Sequence, residues 1–271
     1  MGESLSPKIM DITTIKKLLN QYNLSPQKRF GQNFLVDETV ILTMIETANL
    51  TKDDTVVEIG PGIGALTTQI IRKVKKIIAV EFDTNMVNIL NSNYEINNAN
   101  NLTILNQDVL DFNPTSYPDI KSNYKVIGSI PYQITSPLIH KLINWEVKPQ
   151  LAVLLIQKEV AEKICSKTPN ASYFSIFISA FGKAEIIKNV TSSSFYPSPK
   201  VQSAIIKITF ENKKNLLEPA KFSKFLHHGF KNPRKMINKA FDKKLLLKNN
   251  INPELRPENL ILDEWIKLYQ N

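Results

Sequence analysis

A short stretch that follows an apolar run combines three properties suited to holding a flat, nitrogen-bearing ring. The stretch is Gly128-Ser129-Ile130-Pro131-Tyr132. The Ser129 hydroxyl can accept a hydrogen bond, Pro131 fixes the backbone of the turn, and Tyr132 presents an aromatic face. Such a set can hold a planar amino-heterocycle and present its exocyclic nitrogen. An ordinary strand-to-turn exit with a core tyrosine would carry the same residues, so both interpretations stay open at this point.

Closely spaced glycines separate the predicted strand Thr55–Ile59 from a helix. The three are Gly60, Gly62 and Gly64, and glycine lets the backbone approach a ligand where any Cβ would clash. The spacing also fits a dinucleotide-binding fingerprint. The motif therefore indicates a nucleotide-like cofactor without saying which one.

Acidic residues follow the next two predicted strands, at 76–80 and 102–105. Glu81 can accept hydrogen bonds from both hydroxyls of a ribose, and Asp108 can accept one from an adenine amino group. A nicotinamide enzyme needs neither an acid at the third strand exit nor a Ser-x-Pro-Tyr motif at the fourth. An enzyme that methylates an amino group uses both, so the predicted cofactor is S-adenosyl-L-methionine.

A loop near the N-terminus mixes two cations, two amides and two aromatic residues. Asn33 and the backbone of Leu35 could close over a ligand, while Lys28 and Arg29 could meet phosphate. The alternative is a lid that its two phenylalanines pack onto the core. A second aromatic candidate, Phe195, stands in a loop stiffened by two prolines, where the alternative is a core phenylalanine in a hairpin.

The order of the predicted elements indicates an α/β fold. Seven strands alternate with helices that can cover both faces of the sheet, which is the Rossmann-like layout of class I S-adenosylmethionine methyltransferases. We assign this domain to residues 1–210. The last strand, 201–210, shows the alternation typical of an antiparallel partner.

The remaining residues, 211–271, predict a small helical domain with a strong positive charge. The whole chain of 271 residues has a formal net charge of +9, and this segment alone contains 13 Lys and Arg against 7 Asp and Glu. Helices are predicted around 222–229, 234–241 and 262–269. The charge predicts contacts with RNA phosphates, and the candidate residues are Lys231, Arg234, Lys235 and Lys239.

Other features of the sequence narrow the class of protein. The composition is 42% hydrophobic, which suits a globular core. No run approaches the roughly 20 apolar residues of a membrane span, and the N-terminus lacks a secretory signal pattern. Cys165 is the only cysteine, which excludes an intramolecular disulfide and a multi-thiolate metal site. We therefore expect a cytoplasmic protein without metal or membrane contacts.

These motifs, in this order, resemble the KsgA-type ribosomal RNA adenine dimethyltransferases, and the Erm methyltransferases share most of them. The resemblance runs from about Lys28 to the C-terminus. It implies transfer of two methyl groups to N6 of each of two adjacent adenines, in a hairpin loop near the 3′ end of small-subunit rRNA. The implied partner is ribosomal RNA within an assembling small subunit, and we expect a monomer. The residues that carry the resemblance are Phe30-Gly31-Gln32-Asn33-Phe34-Leu35, Glu58-Ile59-Gly60-Pro61-Gly62-Ile63-Gly64, Glu81, Gln107-Asp108, Gly128–Tyr132, Phe195-Tyr196-Pro197-Ser198-Pro199-Lys200-Val201 and Arg234-Lys235.

On this hypothesis, the Ser129 hydroxyl and the carbonyl of Ile130 or Gly128 accept the hydrogens of the target amine, while Tyr132 and Phe195 stack the base. The chain departs from the family at Ser129, where the family usually has Asn. Two alternatives stay open. One is an Erm-type enzyme that acts on large-subunit rRNA, and the other is a non-catalytic RNA-binding assembly factor.

Overall fold

Apolar runs of five to seven residues form the central strands of the structure, a computed structural model that describes residues 10–27, 30–121, 123–211 and 217–271. Such runs suit strands that are buried on both faces. The strands are β1 (Phe34–Leu35), β2 (Thr55–Ile59), β3 (Lys76–Glu81), β4 (Leu102–Asn106), β5 (Lys125–Ser129), β6 (Leu151–Gln157), β7 (Gly182–Val190), β8 (Phe195–Tyr196) and β9 (Ser203–Phe210).

Helices alternate with these strands along most of the chain. They are α1 (Ile12–Gln21), α2 (Glu38–Ala48), α3 (Thr67–Ile70), α4 (Thr84–Ser92), α5 (Tyr94–Asn97), α6 (Thr135–Asn144), α7 (Lys158–Cys165), α8 (Tyr173–Ser179), α9 (Pro219–Gly229), α10 (Lys243–Lys248) and α11 (Leu262–Gln270). Short 3-10 turns include Tyr132–Ile134 and Ile237–Lys239.

The predicted seven-stranded sheet is confirmed, with strand order β4-β3-β2-β5-β6-β9-β7. The pairs β4/β3, β3/β2, β2/β5 and β5/β6 are parallel. Because parallel neighbours end on the same side, the residues that follow β2, β3, β4 and β5 meet along one edge. A second sheet contains only β1 and β8, in which Phe34 pairs with Tyr196 and Leu35 with Phe195.

Two compact units make up the chain, and they divide it differently from the predicted boundary after residue 210. The first unit contains residues 1–158 and 187–207, and the second contains 159–186 and 208–271. The segment 159–186 belongs to the second unit because α8 packs on α9 there. Tyr173 stacks on His227 with 3.9 Å between ring centroids, and Phe181 meets Phe222 edge to face.

In the first unit, the main core lies between α2 and the central strands. Asp37 precedes α2 as its N-cap and accepts a hydrogen bond from the Thr39 amide, and the apolar face of the helix is buried. A second cluster places Ile15 and Leu19 of α1 against Phe34. The N-terminal helix therefore packs behind the loop that was predicted to close over a ligand.

The second unit has an aromatic core, formed around Trp265 of α11. Gly229, the last residue of α9, packs directly on this ring. A Cβ at this position would lie 2.4 Å from Trp265, so only glycine fits there. The prediction of a helix around 234–241 is wrong. Met236 is extended, so the segment contains only the 3-10 turn Ile237–Lys239, and the next α-helix is α10.

Candidate functional site

A cavity of about 340 Å³ opens in the first unit, at the edge where the central parallel strands end. In open α/β sheets, ligands bind at this edge. Its lining brings together most of the residues that the sequence singled out, namely Asn33, Leu35, Gly60, Gly62, Glu81, Asp108, Ser129, Ile130, Pro131, Tyr132 and Phe195.

The glycine loop after β2 has the backbone that its residues predict. Gly62 has a φ of +57° and Gly64 one of +89°, a region that favours glycine. Gly62 lines the cavity. Gly64 is absent from that lining, and a Cβ there would lie 2.7 Å from the Ile96 side chain. We conclude that Gly62 leaves space for a ligand, whereas Gly64 allows close packing of α5.

Glu81 at the end of β3 holds this loop in place. One carboxyl oxygen accepts a hydrogen bond from the Gly62 amide at 3.0 Å, and the other accepts one from the Asp83 amide at 2.8 Å. Burial raises the pKa of Glu81, and these two hydrogen bonds oppose the rise. Each oxygen has a further lone pair with which it can accept a ligand hydroxyl.

Asp108 follows β4 and also keeps acceptor capacity toward the cavity. Its Oδ1 accepts the Leu110 amide at 2.8 Å, which fixes the carboxylate, and Oδ2 accepts no hydrogen bond from a described residue. A fixed carboxylate with one free oxygen can accept a hydrogen bond from an amino group.

Hydrogen bonds fix the N-terminal loop beside the cavity, two of them within the loop and one between the side chains of Gln32 and Asp83. The Asn33 amide donates to the Gly31 carbonyl at 2.9 Å. Gln32 donates to Asp83 Oδ2 at 2.7 Å and accepts the Gln27 amide at 2.8 Å. Gln32 and Asp83 were not predicted as site residues. Their contact spans 51 positions of sequence, which no local pattern signals. Lys28 and Arg29 lie outside the described residues.

The turn after β5 presents Ser129 and Tyr132 to the same cavity. The Ile130 amide donates to the Leu155 carbonyl at 3.0 Å, which continues the ladder with β6 and fixes the turn. The hydroxyl of Ser129 has no hydrogen-bond partner among the described residues. The Tyr132 hydroxyl, in contrast, lies 2.9 Å from the Ser203 hydroxyl, and Ser203 is 0% exposed.

Phe195 lines the cavity but is only 4% exposed, and it also belongs to the main core of the first unit. Phe195 is therefore mainly a core residue, and a small part of it is available to a ligand in the cavity. The Tyr132 ring is half-buried, so a larger part of it faces the cavity.

Phe82 is a cavity residue that sequence reasoning missed. It is 58% exposed, and its ring meets Phe30 edge to face at 5.6 Å between centroids. An exposed aromatic ring next to the acid that ends a strand can cover a planar ligand group. Its position directly after Glu81 was the signal that could have identified it.

Glu58 of β2, which is separated from the glycine loop by one residue, also lines the cavity. It is 1% exposed, and neither carboxyl oxygen has a hydrogen-bond partner in the described part of the chain. Burial raises the pKa of Glu58 to about 8, and the nearby charge of Glu81 adds to the rise. The free protein therefore holds Glu58 largely protonated at neutral pH.

The predicted phosphate-binding residues lie in the second unit. Lys231, Arg234, Lys235 and Lys239 are all exposed, and none forms an ion pair with a described residue. Among the described residues, no group of three or more His, Cys, Asp or Glu is arranged to hold a metal ion. No helix in the described ranges has both the length and the apolar character that a membrane span requires.

The cavity thus combines two kinds of chemistry. A backbone loop without Cβ atoms, two carboxylates at strand ends and an exposed aromatic ring fit a nucleoside-containing cofactor. A free hydroxyl, a rigid turn and a second aromatic ring fit a planar amine. The two sets meet closely, because a Cβ on Gly60 would lie 3.4 Å from the Ser129 carbonyl oxygen.

Comparisons with known proteins agree with this geometry. The family model for ribosomal RNA adenine dimethylase matches residues 23–269. A ribosomal RNA small subunit methyltransferase A from Sulfurihydrogenibium sp. is 34% identical over 249 residues, covering 91% of this chain and 96% of the relative. The protein of that name from Mycoplasma capricolum is 36% identical over 264 residues, covering 91% and 97%.

Solved structures give the same result for the fold. A dimethyladenosine transferase from Plasmodium falciparum has a TM-score of 0.74 and 27% identity, covering 87% of this chain and 95% of that one. The 23S rRNA methyltransferase ErmE has a TM-score of 0.70 and 23% identity, covering 88% and 98%. The similarity to ErmE concerns the fold alone. The predicted Rossmann-like methyltransferase fold is confirmed.

Proposed function

This chain belongs to the ribosomal RNA adenine dimethylase family, and on that premise we propose that it dimethylates N6 of two adjacent adenines near the 3′ end of small-subunit rRNA, with S-adenosyl-L-methionine as methyl donor. The observation that carries the proposal is the cavity in which the glycine loop, Glu81 and Asp108 meet the turn Ser129–Tyr132.

The cofactor would lie on the strand-end side of the cavity. Gly60 and Gly62 would give it room, Glu81 would accept hydrogen bonds from the ribose hydroxyls, and Asp108 would accept one from the adenine amino group. Phe82 would cover the adenine, and Asn33 and Leu35 line the same cavity. When bound, S-adenosyl-L-methionine supplies a methyl group activated by its sulfonium.

The target adenine would lie against the turn after β5. Its N6 is a poor nucleophile, because the lone pair is delocalised into the ring. The Ser129 hydroxyl and the Ile130 carbonyl accept the N6 hydrogens and orient the nitrogen. Ile130 is the better candidate than Gly128, because Gly128 pairs with Ile59 on one side and Leu154 on the other. Orientation of this kind lowers the barrier without a strong base.

Stacking would hold the base once it has left its own loop. Tyr132, fixed by its hydrogen bond to Ser203, provides the more accessible ring. Phe195 borders the cavity through the small part of its ring that is not in the core. Base–aromatic stacking contributes ~1–3 kcal/mol per base, and an unpaired loop adenine can be splayed out to reach such a site.

The basic second unit would hold the rRNA backbone. Lys231, Arg234, Lys235 and Lys239 offer four exposed cations for phosphates, which position RNA without reading its sequence. Lys28 and Arg29 stay candidates for the same role. We further propose that the protein acts as a monomer in the cytoplasm, on an assembling small subunit.

Neither alternative has comparable support. The relatives from Sulfurihydrogenibium and Mycoplasma, both above 30% identity, carry small-subunit names, whereas the similarity to ErmE, at 23% identity, extends only to the fold. A non-catalytic assembly factor would have no use for free acceptors at Ser129 and Ile130 beside a cavity lined by the glycine loop, Glu81 and Asp108.

A methylation assay tests the proposal. The protein is incubated with radiolabelled S-adenosyl-L-methionine and either undermethylated small subunits or naked large-subunit rRNA, and the RNA is then digested to nucleosides. We expect labelled dimethyladenosine from the small subunit alone. Label in large-subunit rRNA would favour the Erm-type activity. No label in either, with the cofactor still bound, would favour the assembly factor.

A further inference from the structure

Gln133 places an unused carboxamide in the cavity, directly after Tyr132. It lies in the 3-10 turn Tyr132–Ile134 and lines the cavity with Ser129. Its side chain forms no hydrogen bond with any described residue. The amide packs against Gly31 of the N-terminal loop, because a Cβ on Gly31 would lie 2.9 Å from Gln133 Oε1. Gln133 is exposed, so the donor and the acceptor of its carboxamide are both accessible to a ligand in the cavity.

Most other amides around the cavity are already engaged. Gln32 uses both ends of its carboxamide, on Asp83 and on the Gln27 amide, and Asn33 donates to the Gly31 carbonyl. Gln107 is also free of side-chain hydrogen bonds to described residues, but it precedes Asp108 at the exit of β4. Among the described residues of the lining, only Gln133 combines a free carboxamide with a position next to the proposed amine site.

A carboxamide matches the hydrogen-bonding pattern of an adenine edge. An adenine edge offers an N6 donor beside a ring-nitrogen acceptor, and the side chains that match both are Asn and Gln. Ser129 has a single short hydroxyl and cannot span the two atoms. A site with Ser129 alone would orient any exocyclic amine, because it would make no hydrogen bond to the ring that carries the amine.

We propose that Gln133 is the specificity-determining residue that recognises the target as adenine, by donating from Nε2 to a ring nitrogen beside the N6 group that Ser129 orients. This inference rests on the proposed adenine methylation. The ring nitrogen keeps its lone pair after N6 gains a methyl group, whereas N6 loses one of its two hydrogens. The bond from Gln133 is therefore a larger share of the contacts in the second methylation than in the first.

Base analogues test the inference. Small subunits are reconstituted with rRNA that carries adenine, 1-deazaadenine or 7-deazaadenine at the target position. They are methylated by the wild-type protein, by Gln133→Ala and by Gln133→Glu, which has no amide donor. Gln107→Ala is the matched control, since it removes the other free carboxamide of the same cavity. Rates, the ratio of mono- to dimethyladenosine, and cofactor affinity by calorimetry are measured.

On adenine, both Gln133 variants should lose roughly 10- to 100-fold in kcat/KM, accumulate monomethyladenosine and bind the cofactor as the wild type does. On the one analogue that lacks the contacted ring nitrogen, the wild type should fall to the rate of Gln133→Ala. Gln107→Ala should change the rate on all three bases by a common factor.

Three outcomes would overturn the inference. Gln133→Ala could methylate adenine at the wild-type rate, or it could lose as much rate on both deaza analogues as on adenine. Its kinetic loss could also equal a loss of cofactor affinity, which would assign Gln133 to the cofactor. In each case wild-type methylation of adenine would still support the proposed function, whereas its absence would refute that function instead.

Discussion

At the scale of single residues, unused hydrogen-bonding groups distinguish the proposed reaction site from its surroundings. The Ser129 hydroxyl and the Ile130 carbonyl have no partner among the described residues, while the Tyr132 hydroxyl is bonded to the buried Ser203. Groups that must exchange partners with substrate are free, and the ring that must stay in one place is fixed. This division is what a preorganised site requires.

The bond between Tyr132 and Ser203 leads to a first prediction. Tyr132→Ala removes the stacking face and should lower turnover roughly 10- to 100-fold. Ser203→Ala keeps the ring but frees its hydroxyl, so we expect a smaller loss. Tyr132→Phe should cost little more in a protein that already carries Ser203→Ala. Single-turnover methylation measures the rates, and calorimetry should give unchanged cofactor affinity. Full additivity of the two changes would contradict the role of this bond.

Glu58 gives a prediction on stability. Its pKa is raised from 4.5 to about 8 by burial in the folded protein, so between these values the folded state holds a proton that the unfolded chain has lost. The free energy of unfolding should therefore fall as pH rises from about 4.5 to 8 and then level off, as far as this residue contributes. Glu58→Gln lacks this titration.

Urea unfolding of the wild type and Glu58→Gln at pH 5, 7 and 9 measures the effect. The stability of the wild type relative to the variant should be highest at pH 5 and lowest at pH 9. A difference that does not change with pH would mean that Glu58 keeps an ordinary pKa in the folded protein.

At the scale of elements, the two-stranded sheet joins the loop proposed for the cofactor to the loop proposed for the target base. Leu35 pairs with Phe195, the Val36 amide donates to the Ser194 carbonyl at 2.9 Å, and the Ser194 hydroxyl donates to Asp37 Oδ2 at 2.8 Å. Burial would raise the pKa of Asp37, but hydrogen bonds from Thr39 and Ser194 bring it below its usual value. Asp37 therefore stays ionised and keeps this connection at neutral pH.

This connection predicts coupling between the two loops. Cofactor binding should slow amide hydrogen exchange in residues 194–196 of the wild type. Ser194→Ala removes a hydrogen bond to a charged group, worth ~1.5–3 kcal/mol, so the slowing should be weaker and turnover lower. Ser193→Ala is the control, because the Ser193 hydroxyl bonds to Thr191 in the same loop. Equal protection in the wild type and Ser194→Ala would show that the loops act independently.

At the scale of the whole molecule, the positive charge is concentrated in residues 211–271 and most of it is exposed. Cations on phosphates release counterions, so affinity for small subunits should fall steeply with salt. Lys235→Ala should weaken binding by a similar factor for RNAs of different sequence. It should also reduce the slope of log affinity against log salt concentration by about 1.

Lys221→Ala provides the comparison, since the Lys221 ammonium is already paired with Glu218 at 2.6 Å. Its effect on the slope should be smaller than that of Lys235→Ala. The affinity of each variant for small subunits is measured at several salt concentrations. If the salt dependence of Lys235→Ala equals that of the wild type, Lys235 does not belong to the RNA-binding surface.

Local patterns in the sequence determined the alternation of strands and helices, the glycine loop and the acids at the strand ends. These features depend on neighbours within a few positions, as when apolar runs form buried strands or Gly62 adopts a positive φ. Because parallel strands end on one side of a sheet, these patterns also predict that the residues after the strands lie near one edge.

Only the tertiary structure decided which of these residues share the cavity and what holds them there. It placed Gly62 at the cavity and Gly64 against Ile96 of α5. It also placed Phe195 mostly in the core and brought the Tyr132 hydroxyl to the Ser203 hydroxyl, 71 positions away in sequence. It also replaced the helix expected around 234–241 by a short 3-10 turn. Contacts between distant segments depend on packing of the whole chain, which no local pattern of residues encodes by itself.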